Sequence, residues 1–221
     1  IMQNVTYHRE ALNQSGLDML SMCKSQLQKS KESFVNHDSD LAEEVIRNET
    51  RINALDLKIE KDCEKFIALY TPVAIDLRFV IALLKINSEL ERIADHAYGI
   101  SKYVVDIDNK ISPHLLTATQ FDVMFDTIML MMDIITEAYE NKDVKVARKV
   151  FKKDKILDKI NINSFTVLEE EIKKDNSITA EALILLSVVK KMERVGDLIK
   201  NIAEEIIFYI DAEVLKHQNK K

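Results

Sequence analysis

Apolar side chains recur at steps of three and four residues along most of the chain, which is the spacing of one face of an α-helix. The clearest stripe lies within residues 72–105. Its members are Phe79, Leu83, Ile86, Leu90, Ile93, Ala97, Ile100 and Val104. Because such a stripe is typical of helices that pack in a bundle, the pattern predicts one long helix over 72–105.

Polar turns divide the chain into six such stretches. Besides 72–105, the predicted helices span about 6–34, 40–69, 115–140, 143–173 and 179–211. The polar run 36–40 supplies a turn and an N-cap for the second helix. The polar run 106–113 breaks the helical period and is the candidate linker between two halves of the chain.

The two halves repeat each other. At a constant offset of 105 residues, Asn36, Asp38, Leu41, Ala42 and Val45 correspond to Asn141, Asp143, Val146, Ala147 and Val150. At an offset of 102 residues, Glu91-Arg92-Ile93-Ala94-Asp95 corresponds to Glu193-Arg194-Val195-Gly196-Asp197. Because an internal repeat indicates a duplicated unit, the sequence predicts an all-α fold of six long helices in two tandem three-helix bundles. The first repeat is predicted over 1–107, the linker over 108–114 and the second repeat over 115–221.

Composition agrees with helices and excludes several classes of protein. The chain has 221 residues, of which 47% are hydrophobic and 31% charged, so it can bury a substantial core. Three glycines and two prolines are too few for the many tight turns of a β-sandwich, a barrel or an α/β fold. A net charge of −6 and the absence of Trp argue against a nucleic-acid partner.

The sequence predicts a cytoplasmic protein without membrane insertion. No apolar run approaches the roughly 18 residues of a spanning helix, and the first residues lack a basic start followed by an apolar signal region. Cys23 and Cys63 have no partners at zinc-ligand spacing, so we expect both to be reduced residues in the core.

Acid pairs beside the apolar stripes are the candidate chemistry. Glu91 and Asp95 are four residues apart and share one helix face, and Glu193 and Asp197 repeat them. The preceding helix of each half carries the same spacing, as Asp154 and Asp158 in the second half and as Glu49 and Asn53 in the first. Since these helices are predicted to be antiparallel neighbours, the pairs can converge on a hard cation such as Mg, Ca, Mn or oxidised Fe.

Two other interpretations remain open at this point. The acids can be solvated and neutralised by neighbouring arginines such as Arg92 and Arg194, which would make the protein a metal-free helical interaction module. Alternatively, the carboxylates can form a bridged metalloenzyme site. The latter is disfavoured because a ferritin-like di-iron site needs Glu-x-x-His, whereas Ile93 stands three residues before His96. No nucleophile motif is present either, so the sequence predicts a protein that is not an enzyme.

The chain resembles the PhoU family of phosphate-uptake regulators over nearly its whole length, from the first helix to about residue 211. The resemblance rests on the runs Cys63-Glu64-Lys65-Phe66-Ile67-Ala68-Leu69, Pro72-Val73-Ala74-Ile75-Asp76-Leu77-Arg78, Leu84-Lys85-Ile86, Glu91-Arg92-Ile93-Ala94-Asp95-His96-Ala97 and Glu193-Arg194-Val195-Gly196-Asp197. It implies two three-helix bundles, each able to hold a multinuclear metal cluster of iron, or of zinc, manganese or magnesium. Carried over by position, the ligands are Glu49, Glu91, Asp95, Asp154, Asp158, Glu193 and Asp197. Asn53 departs from the pattern, which implies a weaker or absent first site.

The resemblance also implies a function by contact. Members of the family restrain the phosphate ABC transporter and the sensor histidine kinase of the starvation response when phosphate is plentiful. The expected partners are therefore the ATPase subunit of that transporter and that kinase, and the expected oligomer is a homodimer.

Overall fold

The computed structural model describes residues 2–107 and 110–218, with side chains over 5–107 and 110–211. The α-helices in these ranges are α1 (Met2–Asn36), α2 (Ser39–Tyr70), α3 (Ala74–Asp106), α4 (Pro113–Ala118), α5 (Phe121–Asn141), α6 (Val144–Ala147), α7 (Val150–Lys174) and α8 (Thr179–Gln218). A 3₁₀ turn, Asn176–Ile178, precedes α8. The described residues contain no β-strand. The predicted all-α fold class is confirmed.

The helices form two bundles that pack against each other. Helices α1, α2 and α3 pack together, as do α5, α7 and α8. The bundles meet where α3 lies on α8 and α1 lies on α5, so α2 and α7 are on the two outer sides. Aromatic pairs bridge this junction, with ring centroids 5.5 Å apart for Phe34 and Phe121 and 5.9 Å apart for Phe79 and Tyr209. The apolar core is therefore continuous across both halves.

The predicted apolar stripes form this core. All eight stripe positions of α3, from Phe79 to Val104, are buried. Their counterparts in α8 are buried as well, namely Met192, Val195, Ile199, Ile202 and Ile206. Both cysteines are buried and free, as expected.

The repeat is confirmed in the turns that begin the second helix of each half. His37 and Lys142 both adopt left-handed backbone conformations, with φ of 54° and 53°. The amide of Asp38 then donates to the Ser33 carbonyl at 2.9 Å, and the amide of Asp143 donates to the Ala138 carbonyl at 3.0 Å. Each Asp side chain caps the helix that follows by accepting from its first backbone amides.

Two helices of the second half are interrupted, which the apolar spacing did not predict. The predicted helix 115–140 breaks at Thr119 and Gln120, where Gln120 has φ of 54°. The Thr119 hydroxyl donates to the Leu115 carbonyl at 2.8 Å and so satisfies a helix-end acceptor. The predicted helix 143–173 tightens between α6 and α7, where the Lys149 amide donates to the Val146 carbonyl three residues back.

The C-terminal end of the polar segment between the halves is hydrogen-bonded to α8. Ser112 caps α4 through its side chain, and its backbone amide donates to a carboxylate oxygen of Glu181 on α8. Residues 108 and 109 of the predicted linker lie outside the described residues, and the division at 108–114 stays a prediction. In the described residues no helix combines the length and the low charge needed to cross a membrane.

Candidate functional site

The first group of acids forms where α2 packs on α3. Glu49 on α2 lies close enough to Asp95 on α3 for the Asp95 carboxyl to raise the pKa of Glu49. Glu91, one helical turn before Asp95, is close enough to Glu49, Asp56 and Asp95 to interact with their charges. The structure therefore brings the three predicted residues of this half together.

Asp56 is a member of this group that sequence reasoning missed. The Asn87 amide nitrogen on α3 donates to the Asp56 carboxylate at 2.6 Å and to its carbonyl at 3.2 Å. Asp56 follows Glu49 by seven residues, so a helical wheel places the two on one face. Asn53, which lies between them on that face, is exposed. We call Glu49, Asp56, Glu91 and Asp95 the first acid cluster.

The second group forms where α7 packs on α8. Asp154 is only 5% exposed, and Glu193 interacts with the charges of Asp197, Asp158 and Asp154. The Lys200 ammonium donates to Asp154 at 2.8 Å and to Asp197 at 2.7 Å. We call Asp154, Asp158, Glu193 and Asp197 the second acid cluster, and Lys200 is a cation beside it that sequence reasoning missed.

Burial and mutual repulsion raise the pKa of three glutamates in these clusters. The largest cause of each shift is burial, which removes water from around the carboxylate. The next cause is the negative charge of a nearby aspartate, which is Asp95 for Glu49 and Glu91 and Asp197 for Glu193. A raised pKa means that the folded protein favours the protonated form of these carboxyl groups more than water does.

The raised pKa of Glu49 gives a testable sign for pH dependence. Because Glu49 holds its proton more tightly in the folded state than in the unfolded state, its contribution to stability is fully present below the ordinary glutamate pKa and is lost as pH rises through the raised value. In metal-free protein at pH 7 we expect Glu49→Gln to raise Tm by about 1–2 °C, as removal of roughly 0.5 kcal/mol of repulsion would. The gain should vanish near pH 4, and the exposed Glu10→Gln should show none. Thermal unfolding of both variants across pH 4–8 is the measurement, and a lower Tm for Glu49→Gln at pH 7 would contradict the assignment.

The ligand atoms that the two clusters offer are of the kind that a hard cation prefers. Both clusters present carboxylate oxygens, and the Asp154 Oδ1 atom is buried without a hydrogen-bond partner in the described structure. In the described part of the chain, no group of three or more His, Cys, Asp or Glu side chains is arranged to hold a metal ion. The metal-ligand role of the seven residues therefore stays a prediction, and a bound cation would require these side chains to draw closer.

Both clusters border one cleft between α3 and α8. Asp95 of the first cluster and Asp197 of the second line it, together with Arg92, Arg194 and His96. Burial, followed by the positive charges of Lys191, Arg194 and Arg92, lowers the pKa of His96 to about 4. His96 is therefore neutral at physiological pH, and the cleft carries both acidic and basic groups related by the repeat.

Comparison with known proteins agrees with this duplicated architecture. A sequence model of the PhoU domain matches the chain twice, over residues 17–104 and 121–206. The chain belongs to the PhoU family. The two matches correspond to the two bundles, and each contains one acid cluster.

Individual PhoU relatives match most of the chain. A phosphate-specific transport system accessory protein PhoU homolog of Zymomonas mobilis is 32% identical over 80% of this chain and 74% of its own length. The Escherichia coli phosphate-specific transport system accessory protein PhoU is 28% identical over 94% of this chain and 86% of its own length.

Solved structures support the fold. The crystal structure of PhoU from Pseudomonas aeruginosa superposes with a TM-score of 0.88 at 24% identity, covering 93% of this chain and 98% of that chain. The phosphate transport system regulatory protein PhoU from Streptococcus pneumoniae gives a TM-score of 0.80 at 25% identity, covering 93% and 96% of the two chains.

Proposed function

We propose that this chain is a cytoplasmic accessory protein of phosphate transport that restrains the phosphate ABC transporter and its sensor histidine kinase when phosphate is plentiful. The match of both halves to the PhoU domain carries this proposal, together with relatives named as accessory proteins of phosphate-specific transport. The protein acts by contact with the transporter's ATPase subunit and with the kinase, and does not turn over a substrate.

In this proposal the regulator binds metal ions at its two acid clusters. The first cluster ties α2 to α3 and the second ties α7 to α8 when a hard cation, such as iron, manganese or magnesium, neutralises the converging carboxylates. The raised pKa of Glu49, Glu91 and Glu193 and the unpartnered oxygen of Asp154 support this role. Elemental analysis after reconstitution, with the acids replaced in one cluster at a time, tests it.

Loss of the gene should release the starvation response. In the organism that encodes this chain, we expect deletion to switch on a phosphate-starvation reporter in medium rich in phosphate. Re-expression of the parent chain should restore repression, which controls for effects on neighbouring genes. A reporter that stays off in the deletion strain would overturn the proposed function.

The proposal includes a homodimer. One surface for self-association is the outer face of α7. It carries two apolar side chains, Ile162 and Phe165, that are 71% and 59% exposed. Light scattering should give twice the monomer mass of 25.5 kDa. A mass of one chain at micromolar concentration would remove the dimer from the proposal without touching the rest.

A further inference from the structure

A lysine of the chain joins two members of the second acid cluster. The Lys200 ammonium contacts Asp154 Oδ2 at 2.8 Å and Asp197 Oδ1 at 2.7 Å, and so bridges α7 and α8. The Asp154 side chain is 8% exposed and the Lys200 side chain 30%. A charge-assisted contact with a carboxylate so little hydrated is held far more firmly than a surface ion pair.

The first acid cluster has no such lysine. At the offset of 102 residues that relates α3 to α8, the counterpart of Lys200 is Tyr98. Among the described residues, no ion pair engages Glu49, Glu91 or Asp95, and the nearby Arg92 pairs with Glu89 at 3.5 Å. Each cluster has an arginine at the equivalent position, Arg92 or Arg194. Lys200 is therefore a basic residue that contacts the second cluster and has no basic counterpart in the first.

We propose that Lys200 is an internal counter-ion that determines which acid cluster takes a metal ion. A metal bound to Asp154 and Asp197 would have to share these carboxylates with Lys200, which already holds Asp154 Oδ2 and Asp197 Oδ1, and an ammonium so close would repel it. A metal must therefore displace Lys200 from the second cluster, whereas nothing comparable stands in the first. The first cluster is then the stronger site, which reverses the order expected from Asn53.

This inference rests on the proposed metal-binding role and concerns only how the two clusters share the metal. Mn²⁺ alone is a suitable probe, because it prefers carboxylate oxygens and needs no redox control. Its binding can be followed by calorimetry and by the paramagnetic resonance of the free ion. Glu91→Gln and Glu193→Gln assign each binding event to the first or the second cluster.

We expect Lys200→Gln to strengthen binding of Mn²⁺ at the second cluster by roughly 10-fold or more, the scale on which residues that support a metal site act. The glutamine amide can still donate to Asp154, so the variant loses the charge and keeps the hydrogen bond. Lys190→Gln, an exposed lysine on the same helix, is the matched control and should leave both affinities unchanged.

The converse variant tests the same rule at the other cluster. Tyr98→Lys should weaken binding of Mn²⁺ at the first cluster by a similar factor, and it keeps the proposal falsifiable if Lys200→Gln fails to fold. Equal affinities at both clusters, unmoved by either substitution, would overturn the role of Lys200 and leave metal binding intact. Absence of binding in the parent and in every variant would refute the metal-binding role and this inference together.

Discussion

Gly196→Val should destabilise the protein by about 3 kcal/mol, the upper end of what overpacking a tight core costs, and so lower Tm by about 6–10 °C. A Cβ atom built on Gly196 would lie 2.3 Å from a methyl carbon of Leu157 and 3.5 Å from a carboxylate oxygen of Asp154. Leu157 is completely buried, so its side chain can make room only by repacking within the core. The absence of a side chain at position 196 is therefore what allows α7 to lie close to α8 beside the second acid cluster.

Smaller substitutions separate the contact from the intrinsic helix preference. Gly196→Ala adds only the Cβ, and its gain of up to roughly 1 kcal/mol in helix propensity offsets part of the overpacking. We expect its Tm to fall less than that of Gly196→Val. In a Leu157→Ala background, which is itself less stable because the cavity costs about 2–5 kcal/mol, Gly196→Ala should lower Tm no further. Thermal unfolding of the parent, the three single variants and the Gly196→Ala, Leu157→Ala double variant measures this series. An unchanged Tm for Gly196→Val would mean that the two helices do not pack as closely as described.

The internal repeat allows the position of Gly196 to be compared with its counterpart in the first half. Ala94 corresponds to Gly196 and is 3% exposed, so a methyl group fits between α2 and α3. Ala94→Gly should lose stability through helix propensity alone. The two bundles therefore share a plan but differ in the side chain that each accommodates at this position. The sequence alone does not show why position 196 is Gly, because a glycine within a helix has several causes.

Features that depend on one helix and its own ends could be predicted from the sequence. The apolar stripe of α3 is buried as its spacing indicates, and Asp38 and Asp143 cap the helices that follow them. Each is decided within about one turn of helix, where periodicity and capping chemistry are strong. The constant offsets then extend the description of one half to the other.

The helix interruptions could not be predicted by the same reasoning. Gln120 takes a left-handed conformation although it is neither Gly nor Asn, the residues that usually signal such a turn. The break lets Phe121 pack 5.5 Å from Phe34 of the other half. A step of five residues between the buried Leu116 and Phe121 is the only trace of it in the apolar pattern.

The sequence identified only part of each acid cluster, because the remaining members are set by contacts between helices. Spacing of four residues identifies pairs on one helix, such as Glu91 and Asp95, but contacts between helices depend on their relative register. Asp56 joins its cluster through Asn87 on α3, and Lys200 reaches Asp154 on α7. Both are contacts across a helix pair, and neither residue repeats in the other half.

Gly16 and Tyr139 meet at the junction between the two halves, where we expect a second large effect of substitution. A Cβ atom on Gly16 of α1 would lie 2.6 Å from the Tyr139 hydroxyl oxygen on α5 and 3.0 Å from a methyl carbon of Leu83 on α3. The Tyr139 side chain is 1% exposed, and its hydroxyl has no hydrogen-bond partner in the described structure. Gly16→Ala should therefore destabilise the protein by about 2 kcal/mol through overpacking, measured by denaturant unfolding.

Tyr139→Phe should reverse most of this loss, because it removes the closest overlap and an unpaired buried hydroxyl. Alone, it should be neutral or stabilise the protein by about 1 kcal/mol. In a double-mutant cycle we expect Gly16→Ala to cost little in the Phe background, so that the coupling energy is roughly 1–2 kcal/mol. Additive effects would show that α1 and α5 do not meet at this point. Strong coupling would show that α1 and α5 pack directly at this point, so that this contact helps to hold the two bundles together.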